Sequence, residues 1–518
     1  MTREGIFLLC TLFLLLPTLP SAQRKYSAVL ESVLNKAGKN RGELEKALDY
    51  FYLQGDSVRI KSINFLISNM TYHYSADFYW ADKTGKKIPF DENGYPNFQS
   101  VIMAFDSLKL IVGNLHPVPI NYKDIDTIKA DYLIRNVERA LLEWKSQPER
   151  SLDFNEFCEY ILPYRINIEP LQDWRIKYEQ SFRWVSDSIR NTKGKDIAKY
   201  LIKDINNWFT SIYEFEKRTE PIPRLGALQV LLRKKGYCED VAALAAFALR
   251  SQGVSASMDM VPFWGTSSGG HSLNFSEKKN HQKVRFDILF NYSNMSLDSF
   301  QLVREPGKVF RQTYSNQKNA IASFTDSSNI PQGILRSHNI LDVTDEYWNT
   351  SSFSASLKNM PNGRTPNFVY ACVLNYQNWE PVWWGRRTRE NLVLFSNMSR
   401  GVVYLPQYYS NNKLIPAGYP VALGYNHITV LKPDMINKRN IKMPEEENYL
   451  LYQTGKKYHL LCWDGSWKLI STKIANEKAT SLSFENVPRN ALLLLLPEYS
   501  KGKERPFIIT DDSKRIWF

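Results

Sequence analysis

The sequence predicts an α+β multidomain chain: a helical N-terminal region, a mixed α+β core and a C-terminal antiparallel β-sandwich region. Three observations predict it. Apolar residues recur at helical spacing between Tyr26 and Ile67. A helix–strand–loop–strand unit runs from Gly236 to Ile288. Beyond Ile340, short alternating segments follow one another with turn residues between them. At 518 residues the chain is too long for one hydrophobic core, so several domains are expected. The natural divisions are residues 1–22, 23–180, 181–335 and 336–518, the last holding one or two small domains.

Arg3 precedes the apolar run Ile6 to Leu16, and Pro17 to Ala22 supplies a breaker and small residues. This is the pattern of a secretory signal peptide cut after Ala22, and the run is too short to cross a bilayer. No later stretch is long and apolar enough to do so. The expectation is an exported protein, periplasmic, surface-attached or secreted, with no integral membrane segment once the signal is removed.

From Gln23 to Tyr74 the pattern is helical: Tyr26, Val29, Leu30, Val33 and Leu34, then Leu44, Leu48 and Phe51, then Ile60, Ile63, Leu66 and Ile67. Tyr79 to Asn97, rich in Gly, Pro, Asp and Lys, reads as an exposed loop. Helices resume at Phe98–Val112 and Ala130–Lys145, with His116 to Asp126 an extended, proline-bearing connection. In Phe154 to Arg175, Pro163 ends a helix that carries Cys158, and a new helix starts near Arg175. Tyr164 and Arg165, at that break, admit two readings. They are exposed and line a cleft, or they pin the helical layer to the core. Phe182 to Phe215 reads as helix again.

The turn Lys235-Gly236-Tyr237 then delivers Cys238 to the start of an apolar helix carrying Val241, Leu244, Ala245, Ala248 and Leu249, which stops at Gly253. A helix N-terminus favours a thiolate, because its unpaired N–H groups and dipole attract negative charge. A strand follows to Val261, then a loop to Gly270, a second strand from His271 and a third near Lys283 that carries Asp287. A lone Cys or His is ordinarily structural. These three, in this order and frame, read as a nucleophile, a base and an orienting carboxylate. Glu277 and Asp298 compete with Asp287 for the last role. The backbone N–H of Cys238 is the expected oxyanion donor; Gln229 is a poorly spaced alternative.

The residues Gly-Tyr-Cys-Glu-Asp, the helix ending Leu-Arg-Ser-Gln-Gly-Val, the Pro-Phe-Trp-Gly loop, Gly-His-Ser-Leu-Asn and the later Phe-Asp resemble a transglutaminase-like core domain. In particular the chain resembles secreted bacterial members of that superfamily, as do Ile60 to Met70 and Phe154 to Arg175. The resemblance implies a papain-like core with a Cys-His-Asp triad, carried over to Cys238, His271 and Asp287. Leu273 stands where many relatives place an aromatic residue two positions after the histidine, which bears on the packing of the substrate pocket. The resemblance further implies thiol acyl chemistry on an amide, as a peptidase or amidase or as a transglutaminase. Its substrate would be a protein, a peptide or a peptidoglycan-like amide.

Composition narrows the alternatives. The net charge of +13 is spread over short clusters such as Arg233-Lys234-Lys235 and Arg386-Arg387, without a nucleic-acid-binding motif, so no nucleic acid partner is expected. The cysteines left after the signal, Cys158, Cys238, Cys372 and Cys462, are too few for a disulfide framework. No ligand cluster indicates a metal, and no cofactor is expected. In the C-terminal region, strands are read at Asp342–Asp345, Phe353–Leu357, Phe368–Leu374, Asn391–Phe395, Gly401–Leu405, Tyr449–Trp463, Ser466–Ser471, Ser481–Phe484 and Ala491–Leu496. Trp379, Trp383, Trp384, Trp463 and Trp467 suggest either a glycan platform or packing between layers. The rival function is therefore a catalytically inactive scaffold whose β-sandwich region binds glycan or protein.

Overall fold

The computed structural model describes residues 26–146, 153–190, 197–212, 224–278, 282–289, 300–360, 365–447, 449–477 and 479–518. The predicted signal peptide at 1–22 and the competing carboxylate Asp298 lie outside the described residues.

The helical N-terminal region is built as its periodicity dictates. Helices Ala28–Lys36, Arg41–Gln54, Ser57–Asn69 and Ala130–Lys145 pack Leu34, Leu44, Phe51, Ile63 and Leu133 into one cluster, all 0% exposed. Asp56 caps the third of these, accepting from the N–H groups of Val58 and Arg59 at 2.9 and 3.0 Å. The loop expected at Tyr79–Asn97 and the connection expected at His116–Asp126 are corrected by the structure. Tyr74–Ala81 is the central strand of a three-stranded sheet, flanked by Lys87–Ile88 and by His116–Lys123. Pro117 and Pro119 disguised the latter, which lies on the sheet edge, where proline is tolerated because no neighbour needs its missing N–H. Residues 124–127 then form a short helix.

The core has a five-stranded antiparallel sheet in the order Ile340–Asp342, Phe310–Gln312, Ser257–Val261, His271–Lys278, Gln282–Phe286. Its outermost strand lies beyond the division read at residue 335, and Asp342 ends that strand instead of beginning one. Helix Cys238–Arg250 covers the sheet with Val241, Leu244, Ala245, Phe247, Ala248 and Leu249, each at most 1% exposed. Asn274 straps the histidine strand to this helix, its Nδ2 donating to the Ala242 carbonyl at 2.8 Å.

The C-terminal region holds two antiparallel β units, each with its own apolar core: one around Val369, Phe395, Met398 and Tyr404, the other around Met443, Leu460, Phe484 and Phe507. Strands Asn378–Arg386 and Asp434–Pro444 are additions to the sequence reading. The second is mostly exposed and interrupted by register shifts against its partner, so it lacks a clean alternation. The tryptophans pack between layers. Trp463 meets Trp379 of the first unit at 5.3 Å and Trp467 at 5.2 Å. Trp383 lies against Phe310 of the core sheet at 5.9 Å and under the Lys308 ammonium at 4.2 Å. Among the described residues no helix is long and apolar enough to cross a membrane.

Candidate active site

Helix Cys238–Arg250 begins where it does because of a local contest for one N–H. The Asp240 carboxylate accepts from the Tyr237 N–H at 2.8 Å, capping the first turn from within. Gly236 leaves room for this, since a Cβ there would fall 2.6 Å from Asp240 Oδ2. Cys238 is thereby the first helical residue, and its thiol is partly exposed. Cys158, Cys372 and Cys462 are buried.

His271 opens the strand paired in register with Ser257–Val261, opposite Val261. The residue before it must be glycine: a Cβ on Gly270 would sit 2.4 Å from the Pro262 carbonyl oxygen and 2.5 Å from that of Val261. This tight return aims the imidazole at the helix start. Asp287 follows the next strand, and its Oδ2 lies 2.6 Å from His271 Nε2 while its Oδ1 accepts from the Leu289 N–H at 2.9 Å. The Cys238 thiol lines the same cleft and favours the charged form of the imidazole. With Nε2 committed to Asp287, Nδ1 is the nitrogen left for sulfur.

The electrostatics of the group follow from these contacts. Burial works against a charged imidazole, but Asp287 and Cys238 outweigh it and push His271 up to about 10. The histidine is therefore held as an imidazolium beside the sulfur. The side chains of His271 and Asp287 are 23% and 13% exposed, so the pair remains within reach of a ligand.

The three residues read from the sequence are thus brought together. Glu277 stands at the far end of the histidine strand, opposite Lys283. Gln229 is engaged elsewhere, its Oε1 accepting from the Gly226 N–H at 2.8 Å. Tyr164 and Arg165 are buried at 1% and 3% exposure and do not line a cleft with their side chains. They fulfil the pinning alternative: Arg165 grips Asp124 through Nε at 2.7 Å and Nη2 at 2.5 Å, and Tyr164 donates to the same carboxylate at 2.9 Å.

Two contributors were missed. Trp264 stacks on His271 with ring centres 6.2 Å apart and planes 21° off parallel, above the buried Leu273. It supplies the aromatic wall that Leu273 does not, and its signal was the Pro-Phe-Trp-Gly loop itself. Asn375, at the end of a strand in the first β unit, clamps the same loop. Its Nδ2 donates to the carbonyls of Ser267 and Gly269 at 3.1 and 2.9 Å, and its Oδ1 accepts from the Gly269 N–H at 3.0 Å. No sequence pattern joins Asn375 to a loop more than a hundred residues away.

Cys238 and His271 lie in a cleft of about 700 Å³. One wall is Tyr72–Tyr74 from the helical region, another Ile166–Ile168, and a third comes from residues 332–339. No group of His, Cys, Asp and Glu suited to a metal occurs among the described residues.

Residues 185–287 match the model of the transglutaminase-like superfamily, a match that ends on Asp287. Among solved structures the chain is similar to red sea bream transglutaminase, at 9% identity over 86% of this chain and 78% of that one, with a TM-score of 0.20. It is also similar to a protein from Cytophaga hutchinsonii named as a candidate cysteine protease, at 13% identity over 22% of this chain, with a TM-score of 0.17. The latter similarity spans 36% of the Cytophaga chain. At these TM-scores neither structure carries an argument about the site. No curated protein matches the chain.

Proposed function

We propose that the protein is an exported, thiol-dependent acyl-transfer enzyme that acts on amide bonds. One observation carries the reading: His271 Nε2 lies 2.6 Å from Asp287 Oδ2, and the imidazole lines one open cleft together with Cys238. The Cys238 thiolate attacks the amide carbonyl, and the negative oxygen forms at the start of the helix, where the Cys238 N–H and the dipole stabilise it. Collapse breaks the C–N bond, the His271 imidazolium gives its proton to the departing amine, and a thioester on Cys238 remains. The neutral imidazole then takes a proton from the acceptor as that acceptor attacks the thioester, releasing the thiolate. Water as acceptor makes the enzyme a peptidase or amidase, and an amine makes it a transglutaminase. Asp287 keeps the ring in the tautomer and orientation both steps need. Export rests on the apolar run Ile6 to Leu16 and the small residues that follow it.

The test is to incubate the mature chain with a glutamine-bearing peptide, with and without an added primary amine. Intact mass and released ammonia or peptide fragments are then followed. An adduct equal to the peptide less ammonia, or a cleaved peptide, is expected with Cys238 and absent in Cys238→Ala. No adduct and no released product from a panel of protein, peptide and peptidoglycan-like amides would contradict the proposal.

A further inference from the structure

The cleft around Cys238 has a lopsided charge inventory. Among its described lining residues the sole carboxylate is Glu239, and it is ion-paired with Arg224. The His271 imidazolium faces the Cys238 sulfur and Asp287. His73 also lines the cleft but is neutral: burial first, and then the nearby Arg165 charge, push it down to about 3. His338, stacked on Tyr72 with ring centres 3.5 Å apart, is pushed down by burial and by the neighbouring Lys36. What remains is Arg336. This half-buried residue lines the cleft, and both its Nε and Nη2 donate to the Ile330 carbonyl, at 2.9 and 2.8 Å. That fork holds the guanidinium in place. Arg336 has no carboxylate partner among the described residues, and its Nη1 has no hydrogen-bond partner among them. A fixed, uncompensated guanidinium in a cleft is a receptor for a carboxylate.

We infer that the cleft selects amide substrates that carry a carboxylate, and that Arg336 is the residue that reads it. This rests on the proposed thiol chemistry for its purpose but not for its test. The substrate class is an acidic peptide, whose carboxylate is drawn to Arg336 while the target amide lies over Cys238. Arg336 acts on affinity, so its loss raises KM for acidic donors.

The experiment compares alkylation of Cys238 by iodoacetate, an anion, with alkylation by iodoacetamide, its neutral analogue. It uses the full mature chain, in which the other three cysteines are buried. In Arg336→Gln the iodoacetate-to-iodoacetamide rate ratio is expected to fall roughly three- to tenfold, the effect of one charge at such separations. Arg336→Lys restores it, and high salt narrows the difference. The His271 charge is common to all three proteins and cancels in the ratio. Two four-residue peptides then compete against iodoacetamide labelling, one with a glutamate side chain and an amidated end, the other with glutamine and a free chain end. The stronger protector tells a side-chain carboxylate from a terminal one. An unchanged ratio in Arg336→Gln overturns the inference, as does protection by neither peptide beyond that of a neutral amidated control. A slow iodoacetamide reaction with an ordinary thiol pH profile would instead count against the triad, and the ratio would still report on Arg336.

Discussion

The Arg165–Asp124 pair and the His271–Asp287 pair are both short charged contacts beside the same helix–sheet core, and they differ in what they leave open. Arg165 and Asp124 have side chains 2% and 0% exposed. Every arm of that guanidinium is occupied, by Asp124, by the Ser75 hydroxyl and by the carbonyls of Tyr74, Asn167 and Glu169. Such a cluster has no valence left for a ligand; it holds the helical layer, the central strand of the three-stranded sheet and the 160s turn together. The His271–Asp287 pair is 23% and 13% exposed, and its histidine shares a cleft with a partly exposed thiol. Saturation marks a pin, and a spare nucleophile in one cleft with a hydrogen-bonded pair marks a reaction site.

The two clusters can be broken independently. The largest effect belongs to the open one: Cys238→Ala abolishes acyl-enzyme formation, and His271→Ala lowers the rate ~10²–10⁴-fold, the usual worth of a positioned proton-transfer group, as followed by intact mass. Cys238→Ala is not expected to lower stability comparably. Arg165→Ala does the reverse, leaving Asp124 buried without its cation at a cost of about 3–5 kcal/mol in urea unfolding. The thiol of the molecules that remain folded keeps its reactivity. Smaller is Gly236→Ala, whose Cβ displaces the Asp240 carboxylate from the Tyr237 N–H. The lost cap costs about 0.5–2 kcal/mol in thermal unfolding and slows Cys238 alkylation, because the helix start and the thiol move together. Smallest is Arg135→Ala. Its pair with Asp173 has side chains 52% and 46% exposed, and its removal costs less than about 1 kcal/mol by the same measurement.

The His271 charge also sets a pH dependence. Its folded-state pKa is raised to about 10, above the ordinary ~6.5 of the unfolded chain. Its contribution to stability is therefore complete below that ordinary value and is lost as pH rises toward 10. Urea midpoints of the wild type and of His271→Ala should converge over that alkaline window. A gap that instead closes on acidification would contradict the assignment.

How much of this was legible in the sequence follows from where each signal lies. Helices Phe98–Val112 and Ala130–Lys145 were readable to the residue, because apolar spacing is local. The placing of Cys238, His271 and Asp287 was readable because a turn, a helix and paired strands set it by short-range rules. The three-stranded sheet was hidden, since its edge strand carries Pro117 and Pro119 and its central strand runs into a polar hairpin. Asn375 and Arg336 were invisible for a different reason. Their roles arise from contacts between distant segments, and nothing in the residues around them announces a partner.

The central claim is that His271 activates Cys238 as a nucleophile, and the most direct test is the pH dependence of Cys238 alkylation by iodoacetamide. It is measured in the mature chain and in His271→Ala, with Cys158, Cys372 and Cys462 replaced by Ser. A fast rate that persists well below the free-thiol pKa of ~8.5 and collapses in the mutant is the predicted result. A slow rate that titrates like an ordinary thiol in both proteins would contradict it.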